Sequence, residues 1–147
     1  MQHPPLYEVK IEDLLISTDP ALLPFDTILH FLSQESYWAQ GRTPETMRTA
    51  VENSLNFGLY RQGQLLAYAR VVSDYCTFAW LCDVFVLPQA RGQQLGKHLI
   101  KAVTAHPALK VKNFLLATSD AHGLYERYGG FAPLDKPEKW MIKHAAG

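Results

Sequence analysis

Apolar residues recur along this chain with two periods, and the switches between them divide it into elements. EVKIEDLLIST (8–18) alternates at its start and predicts a first strand ending before Asp19–Pro20. LPFDTILHFLSQE (23–35) places Phe25, Ile28, Leu29 and Leu32 at helical spacing, with Pro24 at the start. TPETMRTAVENSL (43–55) predicts a second helix, with Thr43 as N-cap and Pro44 in the first turn. FGLYRQGQLLAYARVV (57–72) reads as two strands around a Gln62–Gly63 turn, and FAWLCDVFVL (78–87) as a third. Leu95, Leu99, Ala102 and Val103 share one face of a helix over Leu95–Ala105. NFLLATS (113–119) predicts a buried strand, DAHGLYERY (120–128) a short helix stopped by Gly129–Gly130, and KWMIK (139–143) a last strand. The order β, α, α, three-stranded meander, α, β, α, β predicts an α/β fold of the α+β kind. Its mixed sheet carries helices on both faces, in one domain spanning 1–147.

Composition narrows the function classes. Fourteen Lys+Arg balance fourteen Asp+Glu, so no basic excess points to nucleic acid. No apolar run approaches a membrane span, and the first residues have no signal-peptide pattern, so neither membrane nor export is expected. Cys76 and Cys82 form no CxxC pair and belong to no His/Cys cluster at zinc spacing, so no metal is expected. Free thiols fit a reducing cytoplasm.

The stretch with the most chemistry is VFVLPQARGQQLGKHLI (84–100), a strand, a loop containing Gly92 and Gly96, and a helix start. It carries Arg91 and Lys97 and no acid. Unpartnered N–H groups and aligned peptide dipoles make such a helix start an anion site. The absence of a GK[ST] run excludes a P-loop.

These residues resemble the acetyl-CoA signature of the GCN5-related N-acetyltransferases, the GNAT family: a V-x-V strand end, an R-G-x-G-x-G/A loop and a helix. Arg91, Gly92 and Gly96 match, while Gln94 replaces the middle glycine. SDAHGLYERYGGF (119–131) is similar to the family's second signature, A-x-x-L-Y-E-x-x-G-F. Ala121, Leu124, Tyr125, Glu126 and Gly129 fall in register, and Gly130 is one residue extra before Phe131. The resemblance covers about 65–131. It implies the GNAT acyl-CoA N-acyltransferase fold, a mostly antiparallel sheet with a βαβ unit, and acetyl-CoA as cosubstrate.

The resemblance further implies that the loop Arg91, Gly92, Gln93, Gln94, Leu95, Gly96 and Lys97 holds the pyrophosphate. The strand edge Val84, Phe85 and Val86 would pair with the pantetheine arm and supply an N–H to the thioester oxygen. Thr118 stands where many relatives have an asparagine that bonds the pantetheine. A positive φ at Gln94 would cost on the order of 1 kcal/mol. A negative φ, with the side-chain amide as an added donor, is the expectation.

Tyr125 matches the tyrosine that protonates the departing thiolate. Asp83 interrupts an apolar strand; alternation points it with Leu81 and Phe85, away from Cys82 and Val84. It is a candidate base or cation-attracting group, or else a carboxylate satisfied by backbone or an arginine. His122, three residues before Tyr125, is a weaker candidate base. On the acceptor side stand Tyr37, Trp38 and Arg42, between the two predicted helices. The aromatic pair with Asp83 suits an organic cation, Arg42 suits a carboxylate, and the aromatics could equally be packing anchors.

The leading expectation is therefore an acetyl-CoA-dependent N-acetyltransferase acting on a small-molecule amine, with a homodimer left open. A protein or peptide N-acetyltransferase and a non-catalytic acyl-CoA-binding module are the alternatives.

Overall fold

The computed structural model describes residues 3–145. Its frame is one six-stranded sheet in sequence order, β1 (Glu8–Ile11), β2 (Leu14–Ser17), β3 (Leu55–Arg61), β4 (Gln64–Ser73), β5 (Phe78–Val86) and β6 (Asn113–Leu116). Neighbours are antiparallel except β5 and β6, which are parallel and joined through a helix. The helices are α1 (Phe25–His30), extended by a π-helical turn at Phe31–Glu35, then α2 (Pro44–Glu52), α3 (Leu95–Ala105) and α4 (His122–Gly129).

Two expectations are corrected at the ends of the sheet. The segment expected to be one first strand is a hairpin, β1 pairing with β2 through a turn at Glu12–Asp13. Glu12 takes φ 55°, and the Asp13 carboxylate accepts from Arg61 Nε on β3 at 2.9 Å. The polar pair Glu12–Asp13 is thus a turn rather than part of a strand. The expected last strand, Lys139–Lys143, does not form: the chain makes a 3₁₀ turn at Pro137–Lys139 and continues outward. Trp140 leaves that turn with extended φ and ψ, but the segment pairs with no strand among the described residues.

The sheet is covered on both faces. On one side Leu95, Leu99, Ile100 and Val103 of α3, with Tyr125 of α4, pack on Ile16, Phe57, Leu59, Ala69, Val71 and Leu81. On the other, Ile28, Phe31, Leu32 and Met47 pack on Tyr60, Leu65, Tyr68 and Phe85. The Phe31 and Phe85 rings stack at 4.2 Å between centroids. Thr43 caps α2 as expected, accepting from the Thr46 N–H. The extra glycine of the second signature closes α4: Gly130 takes φ 74° and its N–H reaches the Tyr125 carbonyl. A Cβ on Gly129 would lie 2.8 Å from the Phe131 ring, so α4 and Phe131 meet over a bare backbone.

Candidate active site

The site forms where β5 leaves β6. The two strands pair only over Phe78–Leu81 and Asn113–Leu116, and from Cys82 to Val86 β5 pairs with β4 alone. The edge at Val84, Phe85 and Val86 is thereby free on the β6 side. The cleft beside it, about 490 Å³, is lined by Tyr37, Trp38, Arg42, Arg70, Asp83 and Tyr125, with Thr118 on the β6 side.

The geometry of β5 at this point corrects the expectation drawn from alternation. Arg70 pairs with Cys82 and Tyr68 with Phe85, so Ala69 stands opposite two residues, a bulge. Asp83 occupies it at φ 53°, a left-handed conformation that costs a non-glycine residue about 1 kcal/mol or more. Strand faces change phase there: Leu81 packs under α3, whereas Phe85 packs under α1. Asp83 therefore points away from the face of Leu81, toward the α1–α2 connection. Period-two reasoning fails at a bulge because one extra residue shifts every later side chain.

Asp83 is 3% exposed and its oxygens are fully engaged. Trp38 Nε1 donates to Oδ1 at 3.0 Å, and Arg42 at 2.6 Å and Arg70 Nε at 2.8 Å both donate to Oδ2. Burial alone would raise the Asp83 pKa. The hydrogen bonds and charges of the two guanidinium groups outweigh it, and the net shift is downward. Arg70 further donates to Ser54 Oγ at 2.9 Å. Arg70 escaped notice in the sequence, though the signal was there: an arginine inside the apolar run of β4, as Asp83 is an acid inside β5.

Tyr125 sits on α4 at the floor of the cleft, 8% exposed, and burial pushes its phenol up to about 12, with the Tyr37 and Asp120 charges adding to the shift. Tyr37 bridges the cleft mouth, its hydroxyl accepting from the Ser119 N–H at 3.3 Å. Tyr37 and Trp38 meet edge to face at 5.0 Å and are 57% and 40% exposed, so they line the cleft rather than anchor the core. Thr118 Oγ accepts from the N–H groups of Ala121 at 3.1 Å and Asp120 at 3.4 Å, organising the turn into α4. His122 faces a different groove, beyond β6. Cys82 borders the cleft, but burial pushes its thiol up to about 11, which leaves it a poor nucleophile.

At the far end of the free edge lies the start of α3, beside a hollow of about 240 Å³ lined by Arg91, Gly92, Gln94, Leu95, Gly96 and Lys97. The first helical bond is His98 N–H to the Gln94 carbonyl, so the N–H groups of Leu95, Gly96 and Lys97 precede it, and no side chain caps them. Gly92 has φ 84° and open space where a Cβ would stand. The expectation for Gln94 is corrected: its φ is 61°, the left-handed value a glycine would adopt freely. Its side-chain Oε1 accepts from Lys97 Nζ at 3.4 Å. Gln93 Oε1 accepts from Arg61 at 2.9 Å, and Arg91 Nε turns back to the Val86 carbonyl at 3.2 Å.

Known proteins resemble this chain in sequence and fold. The family model of the acetyltransferase (GNAT) domain matches residues 52–129. A Gibberella zeae protein named only as a candidate acetyltransferase is 32% identical over 133 residues, 75% of each chain. A crystal structure from Xanthomonas campestris pv. campestris, assigned to the same family, is 45% identical with a TM-score of 0.87 over 92% of this chain and 96% of that one. A Clostridium acetobutylicum predicted acetyltransferase solved with acetyl-CoA shares the fold, with a TM-score of 0.56 at 14% identity over 95% of each chain. The chain belongs to the GNAT family and is an acetyltransferase.

Proposed function

We propose that this acetyltransferase carries the acetyl group of acetyl-CoA to the primary amine of a small molecule, which attacks the thioester directly. The observation that carries the reading is the parting of β5 from β6. It leaves one strand edge free between an uncapped helix start and a buried phenol. The residues present fit coenzyme A. The N–H groups of Leu95, Gly96 and Lys97 suit a pyrophosphate, with Arg91 and Lys97 beside them and no acid between Val84 and Ile100. The edge Val84–Val86 offers backbone groups to an amide-bearing arm and to the negative charge developing on the thioester oxygen.

Tyr125 acts as the general acid. With its pKa pushed up to about 12 it is fully protonated at neutral pH, and it gives that proton to the sulfur as the carbon–sulfur bond breaks. Asp83 serves as a positioning residue: an ionised carboxylate held by two arginines has little affinity for another proton. The attacking amine loses its proton to water in the cleft, and the new carbon–nitrogen bond replaces the thioester.

The acceptor end favours a small molecule. Trp38 and Tyr37 wall the cleft, and Tyr37 closes over it to Ser119. Its charged lining is balanced, Arg42 and Arg70 against Asp83 and Asp120, with both guanidinium groups paired to Asp83 and the exposed Asp120 carboxylate left to attract a cationic amine.

Thiol release from acetyl-CoA across a panel of amines tests the proposal. Release is expected to be accelerated by small amines and to fall on the order of 10²-fold in Tyr125→Phe, the ordinary contribution of a general acid. Binding of coenzyme A by both proteins with no amine accelerating release would leave an acyl-CoA-binding module instead.

A further inference from the structure

One patch of the sheet lies bare beside the cleft. Val71, Ala79 and Leu81 pack on the α3 side, so Arg70 and Val72 of β4 and Phe78 and Trp80 of β5 point to the opposite face. The helices α1 and α2 cover that face over Tyr60, Leu65, Tyr68 and Phe85. Val72, Phe78 and Trp80 lie beyond them and are 38%, 38% and 36% exposed.

Strand pairing sets these side chains in a row. Val72 is the cross-strand partner of Trp80, and Trp80 of Leu115 on β6, so the three stand side by side across three strands. Phe78 follows two residues from Trp80 on the same face. Large apolar side chains exposed together in this way mark a binding surface. The row runs into the cleft. Arg70 and Cys82 form the next paired position toward it, and Trp80 itself lines the cleft with Tyr37, Trp38 and Asp120.

We propose that the acceptor is an amine on an apolar body, an alkylamine or arylalkylamine, and that Trp80 selects it by carrying that body across Val72 and Leu115. The inference rests on the cleft as the site of acetyl transfer and names its substrate class. The occupant follows from continuity and charge. Trp80 belongs to both the cleft and the row, so a molecule with its nitrogen in the cleft can lay its tail on the row. At the cleft end the exposed Asp120 carboxylate draws in a cation, while Val72, Trp80 and Leu115 carry no charge. A cationic head followed by an apolar body matches both ends. A carboxylate in place of that body would lose water against Val72 and Leu115 with no charge to replace it.

Steady-state transfer from acetyl-CoA to 4-phenylbutylamine and to ethylamine tests the selection. Wild type is expected to favour 4-phenylbutylamine roughly tenfold in kcat/KM, and to do so through KM, because burying the tail is binding shared by ground and transition states. Trp80→Ser is expected to bring that ratio near unity. Phe78→Ser, at a side chain that does not line the cleft, should lower it about threefold. Turnover of both amines by wild type at equal kcat/KM, or a preference that survives both substitutions, overturns the inference and leaves the acetyl-transfer reading standing. Turnover of neither amine overturns both. Light scattering after size exclusion addresses the other occupant: a wild-type dimer that Phe78→Asp makes monomeric would assign the row to a second copy and overturn the proposal.

Discussion

Gln94 and Tyr125 show how single residues set the properties of the site. Gln94 holds a left-handed backbone angle where its relatives' pattern has glycine, so Gln94→Gly is expected to stabilise the fold by about 1 kcal/mol. Thermal unfolding reads that as a rise of roughly 2–4 °C for a domain of this size. Tyr125 is the opposite case, a group whose burial favours its neutral form. Its folded pKa lies near 12, above the ordinary value of 10. The acid form therefore persists past pH 10, and turnover is expected to hold on the alkaline side until well above that value. The stabilisation from keeping the phenol neutral is complete below about pH 10 and is lost as pH rises through about 12. A pH–rate profile that falls with an apparent pKa below 10 would remove Tyr125 from the role of acid.

At the scale of elements, two local structures build the site: the bulge in β5 and the start of α3. The bulge is held by Asp83 bonding across to Arg70 on β4 and to Arg42 beyond α1. Asp83→Asn leaves two largely buried guanidinium groups without their counter-charge, at a cost of about 3 kcal/mol read by urea unfolding. The sign with pH follows from the lowered Asp83 pKa. Its stabilisation is present above the usual carboxylate value of about 4 and lost as pH falls through the lower folded value. Asp83→Asn should accordingly lose less stability than wild type on acidification. The start of α3 makes a separate prediction. Gly92 lies at a positive φ facing open space, so Gly92→Asp adds both strain and a negative charge beside the helix start. Coenzyme A affinity by calorimetry is expected to fall at least tenfold, and an unchanged affinity would place the pyrophosphate elsewhere.

For the whole molecule, the sheet ends in two edge strands, β1 and β6. The β1–β2 hairpin lies at one edge, tied to β3 by the Arg61–Asp13 pair. The other end of the sheet is β6, beside the candidate cleft, and the segment after Pro137 is exposed. Among the described residues no helix is long and apolar enough to cross a membrane.

Local pattern was sufficient wherever the physics is local. The α3 and α4 spans, the Thr43 cap, the Gln62–Gly63 turn and the acid-free loop after β5 were all legible. Apolar period, capping and charge act within a few residues of chain. The family, too, was readable in two short signatures. Other features depended on residues distant in sequence. The facing of Asp83 turned on a bulge fixed by pairing with Arg70, and its role on an arginine 41 residues before it. The angle at Gln94 was imposed by the joint between β5 and α3 against a side chain that prefers otherwise. The last strand did not form although edges stand open, because the path of the chain after the Pro137 turn brings it to neither of them, and that path is tertiary.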